Sequence, residues 1–267
     1  RVWITARDGV KVPVSLVYRK GYRKDGTGAL FQYAYGSYGM SMDPYFNQTA
    51  VSLLDRGVVY AIAHIRGGQE MGRDWYENGK LLHKQNTFND FIDVTRGLVA
   101  QGWAAKDRVA ASGGSAGGLL MGAVANQAPQ DYRVMVAQVP VVDVVTTMLD
   151  PTIPLTTNEY DEWGNPEQKQ YYDYMLSYSP YDNVAAKDYP AILAMGGLTD
   201  PRVTYWEPAK WIARLRATMK GGGPVLLRTN MGAGHGGASG RFNRLDEVAI
   251  AYAFALWAVG LADKAEV

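Results

Sequence analysis

The sequence predicts an α/β fold, in which a mostly parallel β-sheet carries helices on both of its faces. Six apolar segments lack the polar alternation of half-exposed strands and are typical of strands covered on both sides; they are residues 29–35, 58–65, 109–112, 134–139, 191–195 and 224–228. Helical patterns alternate with them, which indicates a parallel sheet. Residues 2–6 and 11–18 flank Asp8-Gly9, a pair suited to a tight turn, and predict an N-terminal β-hairpin. We therefore expect one domain over residues 1–267, built on a hairpin and six further strands.

The helices are predicted from the spacing of apolar residues between these strands. They cover residues 46–54, 87–100, 119–127, 206–219 and 242–259. Residues 143–189 break the pattern with a long insertion rich in Asp, Glu, Tyr and Pro. An insertion of this length between core strands is usually a lid or a binding loop, or it carries short helices of its own.

Composition excludes several classes of function. A formal charge of +1 does not indicate a nucleic-acid or anionic-membrane partner, and no apolar run is long enough to span a membrane. The absence of cysteine excludes thiolate catalysis, disulfides and cysteine-ligated zinc, and we expect neither a metal nor a cofactor. Because the chain starts directly with a strand, we expect a cytoplasmic location, with the periplasm as the alternative if a signal segment has been removed.

A glycine-rich segment around Ser115 is the strongest sign of function. Residues 113–117 fit the pattern G-x-S-x-G and lie between a predicted strand and a predicted helix. In α/β-hydrolases this strand-turn-helix unit is the nucleophile elbow, which lifts a serine hydroxyl above the sheet. A hydroxyl alone is a weak nucleophile, so this interpretation requires a base and an acid that orients the base. The alternative is an ordinary glycine-rich turn.

His235 is the best candidate for the base among the three histidines of the sequence. It follows the last predicted strand, and ligands of open α/β sheets bind beyond the C-terminal ends of the strands. His64 and His83 are more simply explained as a strand-end histidine and a surface histidine. For the acid, Asp200 and Asp143 each follow a predicted strand, and both give the chain order Ser, Asp, His. The residues alone therefore leave the choice of acid open.

Longer motifs carry a resemblance that covers almost the whole chain. They lie at residues 35–39 (YGSYG), 64–68 (HIRGG), 113–118 (GGSAGG), 156–159 (TTNE), 162–166 (EWGNP), 205–210 (YWEPAK) and 234–237 (GHGG). Through them the chain resembles the peptidase domain of the prolyl oligopeptidase family, most of all its oligopeptidase B members. The resemblance implies an α/β-hydrolase fold with Ser115 as the nucleophile, His235 as the base and Asp200 as the acid, against Asp143.

The same resemblance implies further site residues and a substrate. The Tyr35 hydroxyl and the Ala116 backbone N–H correspond to the family's oxyanion hole. Oligopeptidase B cleaves short peptides after Arg or Lys, and the carboxylates that it uses for these side chains correspond to Glu159 and Asp161. Without the resemblance, residues 159–162 are more simply interpreted as a solvated acidic loop.

Two more residues are assigned a role by the resemblance. Arg202 corresponds to an arginine that holds the substrate backbone, and bidentate donation to carbonyl or carboxylate oxygens suits that residue type. Asp43 corresponds to a carboxylate of a second basic subsite. The expected partner is a short basic peptide.

Members of the family also carry a β-propeller that covers the active site, and this chain begins after the position of that domain. A shortened chain, a processed chain or a propeller on a separate chain would each account for this. Two alternatives to a peptidase stay open. The fold also suits an esterase or acyl hydrolase, and an isolated domain without its propeller could hold Ser115 and His235 out of register and be catalytically impaired.

Overall fold

The computed structural model describes residues 1–240 and 242–262. Its strands are β1 (Val2–Thr5), β2 (Lys11–Val17), β3 (Leu30–Tyr33), β4 (Val59–Ala63), β5 (Val109–Gly114), β6 (Val134–Gln138), β7 (Asp188–Tyr189), β8 (Ala191–Gly197), β9 (Gly221–Gly222) and β10 (Val225–Asn230). Its helices are α1 (Ala50–Asp55), α2 (Arg73–Glu77), α3 (Gln85–Ala100), α4 (Ala116–Gln127), α5 (Val144–Met148), α6 (Tyr160–Trp163), α7 (Lys169–Tyr178), α8 (Trp206–Thr218) and α9 (Asn243–Ala258).

Eight of these strands form the main sheet, in the order β1-β2-β4-β3-β5-β6-β8-β10. The pairs β1/β2 and β2/β4 are antiparallel, and the other pairs are parallel. The predicted hairpin and six further strands are therefore confirmed. The short parallel pair β7/β9 was not predicted from the sequence. Each of these strands has only two residues, and β9 consists of two glycines, so neither shows a strand pattern.

Apolar layers pack against both faces of the sheet. Alternation within β3 shows this, because Leu30 belongs to the cluster that includes Phe88 of α3 and Leu119 of α4, whereas Phe31 packs in the cluster with Leu256 of α9. Helices therefore cover both faces, as the apolar strand patterns predict. No helix in the described part of the chain is both long and apolar enough to cross a membrane.

Two helices start three or four residues away from their predicted first residues. The first starts at Ala50 rather than at residue 46, because Asn47 Oδ1 accepts hydrogen bonds from the backbone N and Oγ1 of Thr49 at 3.1 and 2.7 Å, which forms an Asx turn ahead of the helix. Helix α4 starts at Ala116 rather than at residue 119, since Gly118 lies inside it and not in the turn. Within the 143–189 insertion, α5, α6 and α7 are the short helices that its length allowed.

Candidate active site

Ser115 lies on a sharp turn between the end of β5 and the start of α4. Its φ of 57° and ψ of −113° are unusual for a residue with a side chain, and such strain is typical of functional turns. The Ser115 N–H donates to Gln138 O at 2.8 Å, and its carbonyl accepts from Gly118 N at 2.9 Å. The turn also requires glycine, because a Cβ on Gly113 would lie 2.3 Å from Gly117 O. The local geometry is that of a nucleophile elbow.

His235 and Asp200 form a hydrogen-bonded pair beyond the ends of β10 and β8. His235 Nδ1 lies 2.8 Å from Asp200 Oδ2, and the aspartate side chain is fully buried while that of the histidine is 20% exposed. The other oxygen, Oδ1, accepts from the backbone N of Arg202 at 2.8 Å and of Val203 at 3.0 Å. Three donors therefore orient one carboxylate, and that carboxylate orients the imidazole.

Ser115 and His235 line the same cleft, which has a volume of about 470 Å³. Among the described residues no hydrogen bond joins the Ser115 hydroxyl to His235. Catalytic hydrogen bonds are often long without substrate and tighten when it binds, so the shared cleft is the relevant observation.

The alternative candidates have other partners. His64 is buried, with Nε2 2.8 Å from Ser15 Oγ and Nδ1 3.0 Å from Glu70 Oε2, and His83 is exposed on a surface turn. Asp143 is 1% exposed and forms an ion pair with Lys210. His235 is thus paired with Asp200 and not with Asp143.

Two potential donors stand near Ser115. The Ala116 N–H is the first of α4, and no acceptor for it occurs in the part of the chain that the structure describes. Tyr35 follows β3 and lines the cleft. Burial, with smaller contributions from Tyr33 and Glu159, raises the pKa of the Tyr35 hydroxyl to about 12. It is therefore protonated near neutral pH and can donate a hydrogen bond.

The acidic segment reaches the cleft through Glu159 and not through Asp161. Glu159 lines the cleft, and its Oε2 accepts from the Tyr38 hydroxyl at 2.5 Å and from Trp163 Nε1 at 2.9 Å. Asp161 is exposed and is not among the described residues that line the cleft. Residues three apart on a helical turn share a face and residues two apart do not, so half-buried Glu159 lies on the same side as buried Glu162, whereas Asp161 is exposed. The structure does not bring the predicted pair of carboxylates together.

The other predicted binding residues lie at the rim. Arg202 is exposed and lines the cleft. Asp43 is exposed in a neighbouring groove of about 680 Å³, which shares Tyr33 and Met42 with the cleft. Asp43 is thus beside the cleft but not in it. Within residues 1–240 and 242–262, no group of three or more His, Asp or Glu side chains is arranged to hold a metal ion.

Sequence reasoning missed two buried ionisable groups around the cleft. Lys84 Nζ donates to Gly36 O at 2.6 Å, Ser37 Oγ at 2.8 Å and Gly79 O at 3.3 Å, beneath the segment that carries Tyr35. Burial lowers the pKa of Lys84 to about 8, although the Glu162 carboxylate opposes the shift. Nothing in the polar stretch 80–86 distinguishes this lysine from a solvated one.

The second missed group is Glu207, at the start of α8. It lines the cleft, is 1% exposed, and its Oε1 accepts from the backbone N of Val142 at 3.1 Å and of Asp143 at 3.0 Å. Burial is the main cause that raises the pKa of Glu207 to about 8. Glu207 therefore ties the cleft wall after β6 to α8 as a mostly neutral carboxylic acid at pH 7.

Comparison with known proteins assigns this architecture to a family. Residues 44–262 match the model of the prolyl oligopeptidase family, Peptidase_S9. The chain is 68% identical over 265 residues to dipeptidyl aminopeptidase BI of Pseudoxanthomonas mexicana, a match that covers 99% of this chain and 37% of that protein. It is 54% identical over 261 residues to protease 2 of Moraxella lacunata, covering 98% of this chain and 38% of that protein.

Solved structures agree with the sequence matches. Oligopeptidase B from Leishmania major matches with a TM-score of 0.96 at 50% identity, over 98% of this chain and 36% of that chain. Oligopeptidase B from Trypanosoma brucei, in a closed form with covalently bound antipain, gives a TM-score of 0.95 at 50% identity, over 97% and 37% of the two chains. The chain thus spans between a third and two fifths of the length of these relatives, and its α/β-hydrolase fold is that of the oligopeptidase B catalytic domain. As its motifs predict, this chain belongs to the prolyl oligopeptidase family of serine peptidases.

Proposed function

We propose that this chain is the peptidase domain of a serine oligopeptidase that cleaves short peptides on the C-terminal side of Arg or Lys. The observation that carries the proposal is the Asp200–His235 hydrogen bond, beyond two strand ends and in the same cleft as Ser115 on its strained turn. Nucleophile, base and orienting acid are recognised by such geometry and by their roles, not by their spacing in sequence.

In the first half of the reaction, Ser115 Oγ attacks the carbonyl carbon of the scissile amide, and His235 Nε2 takes the hydroxyl proton. Negative charge develops on the carbonyl oxygen, where the Ala116 N–H and the Tyr35 hydroxyl donate hydrogen bonds. Each such donor is worth about 3–4 kcal/mol of transition-state stabilisation. His235 then gives its proton to the leaving amine, the C–N bond breaks, and the acyl group remains as an ester on Ser115.

In the second half, water takes the place of the amine. His235 removes a proton from the water as it attacks the ester carbonyl, and the same two donors stabilise the second oxyanion. The proton then goes to Ser115 Oγ as the C–O bond breaks, which releases the carboxylic acid and restores the site. Asp200 keeps one tautomer of the imidazole throughout, with the proton on Nδ1.

The substrate preference rests on charge in the cleft. A lysine or arginine side chain that enters a partly dry cleft needs a carboxylate, because an unpaired buried charge costs several kcal/mol. Two glutamates line the cleft, and of these Glu207 is buried against backbone donors whereas Glu159 is partly exposed, so we assign the basic side chain to Glu159. We assign the peptide backbone to Arg202, which is exposed and lines the same cleft. Asp161 and Asp43 lie outside the cleft and are assigned to more distant parts of the peptide. We assign the restriction to short peptides to a covering propeller domain and not to these residues.

A second candidate is a dipeptidyl aminopeptidase, because the relative with 68% identity carries that name. Such an enzyme must bind a free N-terminal ammonium two residues before the scissile bond. Asp43, exposed in the groove that adjoins the cleft, has the right charge for that ammonium. Equal hydrolysis of one arginyl peptide with a free and with an acetylated N-terminus would exclude this second candidate.

The proposal is tested by labelling and by hydrolysis with the same protein. A fluorophosphonate should label the chain and fail to label Ser115→Ala, and an arginyl amide should be hydrolysed faster than an alanyl amide. Hydrolysis of simple esters without any amide hydrolysis would favour an acyl hydrolase instead. Absence of labelling would mean that this domain alone does not hold Ser115 and His235 in a competent arrangement.

A further inference from the structure

The contacts of Tyr38 connect the segment after β3 with the acidic segment of the insertion. Its hydroxyl donates to Glu159 Oε2 at 2.5 Å, and its backbone N–H donates to Glu162 Oε1 at 2.9 Å. The Tyr38 ring also meets the Trp163 ring edge to face, with centroids 5.8 Å apart. One residue thus contacts three side chains around α6, which begins after Glu159 and ends at Trp163.

The backbone of Tyr38 is held in a conformation that few residues adopt. Its φ of 59° lies in the left-handed region, which costs free energy for a residue with a side chain. The hydrogen bond from the Tyr38 N–H to Glu162 offsets this cost. The preceding residue is also held, because Lys84 Nζ donates to Ser37 Oγ at 2.8 Å. Glu162 is itself fixed, since its Oε2 accepts from the Tyr76 hydroxyl at 2.5 Å. The direction of the Tyr38 side chain is therefore set by the fold.

Within the described residues, hydrogen-bond donors reach only one of the two oxygens of the Glu159 carboxylate. Oε2 accepts from both the Tyr38 hydroxyl and Trp163 Nε1, whereas among the described residues no donor reaches Oε1. Burial and the nearby Glu159 charge raise the pKa of the Tyr38 hydroxyl well above its usual value, so the phenol remains a donor. A free glutamate side chain loses rotamer entropy when it is ordered. Here the two donors order it before a substrate arrives.

We infer that Tyr38 is a positioning residue for substrate selection: it holds Glu159 so that the unoccupied oxygen faces a cationic substrate side chain in the cleft. The inference rests on the proposed function, in which Glu159 receives the Arg or Lys side chain. Tyr38 acts through Glu159 and not on the scissile bond. Its removal should therefore weaken recognition of basic side chains and leave the chemistry on neutral substrates intact.

The test is Tyr38→Phe, which keeps the ring and removes the donor. Hydrogen bonds to charged groups are worth about 1.5–3 kcal/mol, so the ratio of kcat/KM for an arginyl over an alanyl amide should fall at least about tenfold. We expect this fall to come from a higher KM for the arginyl substrate. The kcat for the arginyl substrate and the kcat/KM for the alanyl substrate should each stay within about twofold of the wild-type value. The matched control is Tyr160→Phe, on α6 beside Glu159, whose hydroxyl makes no hydrogen bond to Glu159 and whose loss should leave the ratio unchanged.

Glu159→Gln separates failure of the inference from failure of the proposed function. If Glu159→Gln removes the arginyl preference and Tyr38→Phe leaves it unchanged, the positioning role is wrong while the substrate class stands. If Glu159→Gln itself leaves the preference unchanged, the proposed substrate class is wrong. In the double variant, Tyr38→Phe should cause no loss beyond that of Glu159→Gln. An equal loss on arginyl and alanyl substrates in Tyr38→Phe would also overturn the inference.

Discussion

Lys84 should make the stability of this protein rise with pH above neutrality. Its side chain is fully buried, and burial lowers its pKa from 10.5 to about 8. The unfolded chain therefore keeps this proton over a pH range in which the folded protein has released it. Stability increases with pH wherever the unfolded state binds more protons, so the window lies between the folded value of about 8 and the unfolded value of 10.5.

The magnitude follows from the same two values. Below pH 8 both states are protonated and the full cost of the buried charge is present, about 3 kcal/mol at about 1.4 kcal/mol for each pKa unit. Part of this cost is relieved as the folded protein loses the proton, and linkage gives a gain of about 2 kcal/mol between about pH 7 and about pH 9.5. Above that range tyrosines of the unfolded chain begin to titrate and would obscure the effect.

The assay compares wild type with Lys84→Met by denaturant unfolding at the two pH values. Contributions of all other groups to the pH dependence are common to both proteins, so the free energy of unfolding of wild type should gain about 2 kcal/mol relative to the variant. The exposed Lys20 gives the control, because Lys20→Met should keep the wild-type pH dependence. A difference between wild type and Lys84→Met that stays constant within about 0.5 kcal/mol, or that changes in the opposite sense, would refute the argument.

Three further predictions concern the site. Asp200→Asn should lower kcat by about 10⁴-fold and slow the fluorophosphonate labelling of Ser115 as well, because the amide supports the wrong imidazole tautomer. A mild loss in this variant beside a severe loss in Asp143→Asn would reverse the assignment of the acid. Tyr35→Phe should lower kcat by about 10²-fold or more with little change in KM, and an effect on KM alone would remove Tyr35 from the oxyanion hole. Gly118→Ala should lower the free energy of unfolding by about 1–3 kcal/mol in denaturant, since the new Cβ would lie 2.5 Å from Pro140 Cα. Unchanged stability in this variant would contradict the close contact, and Gly236→Ala is the control because Gly236 has open space around it.

The parts of the site that could be predicted from sequence are those fixed by topology. In a parallel sheet the strand ends meet at one edge, so residues that follow β5, β8 and β10 are brought together wherever the loops between them run. Ser115, Asp200 and His235 are of this kind. Asp143 follows a strand as well, and only a tertiary contact with Lys210, 67 residues away, separates it from the pair.

The parts that could not be predicted depend on contacts between loops. Lys84 is buried because residues 36, 37 and 79 fold around it, and no local pattern encodes that meeting. The distinction between Glu159 and Asp161 depends on the orientation of one helical turn, which sequence patterns do not fix to a single residue. The Asx turn at Asn47 is a similar case, since it moved the start of α1 by four residues.

Because β5 lies inside the sheet and β10 lies at its edge, we expect heat to disturb the two strands unequally. The strand before Ser115 has a neighbour on each side, whereas β10, which precedes the His235 loop, lies at the edge of the sheet that the described residues form and pairs there with β8. Edge elements open at a lower free energy than the centre of a sheet, and such local opening is seen as faster amide hydrogen exchange. We therefore expect mild heating to separate the base from the nucleophile while most of the sheet remains folded. Turnover would then disappear at a lower temperature than the main unfolding transition, and it would return fully on cooling.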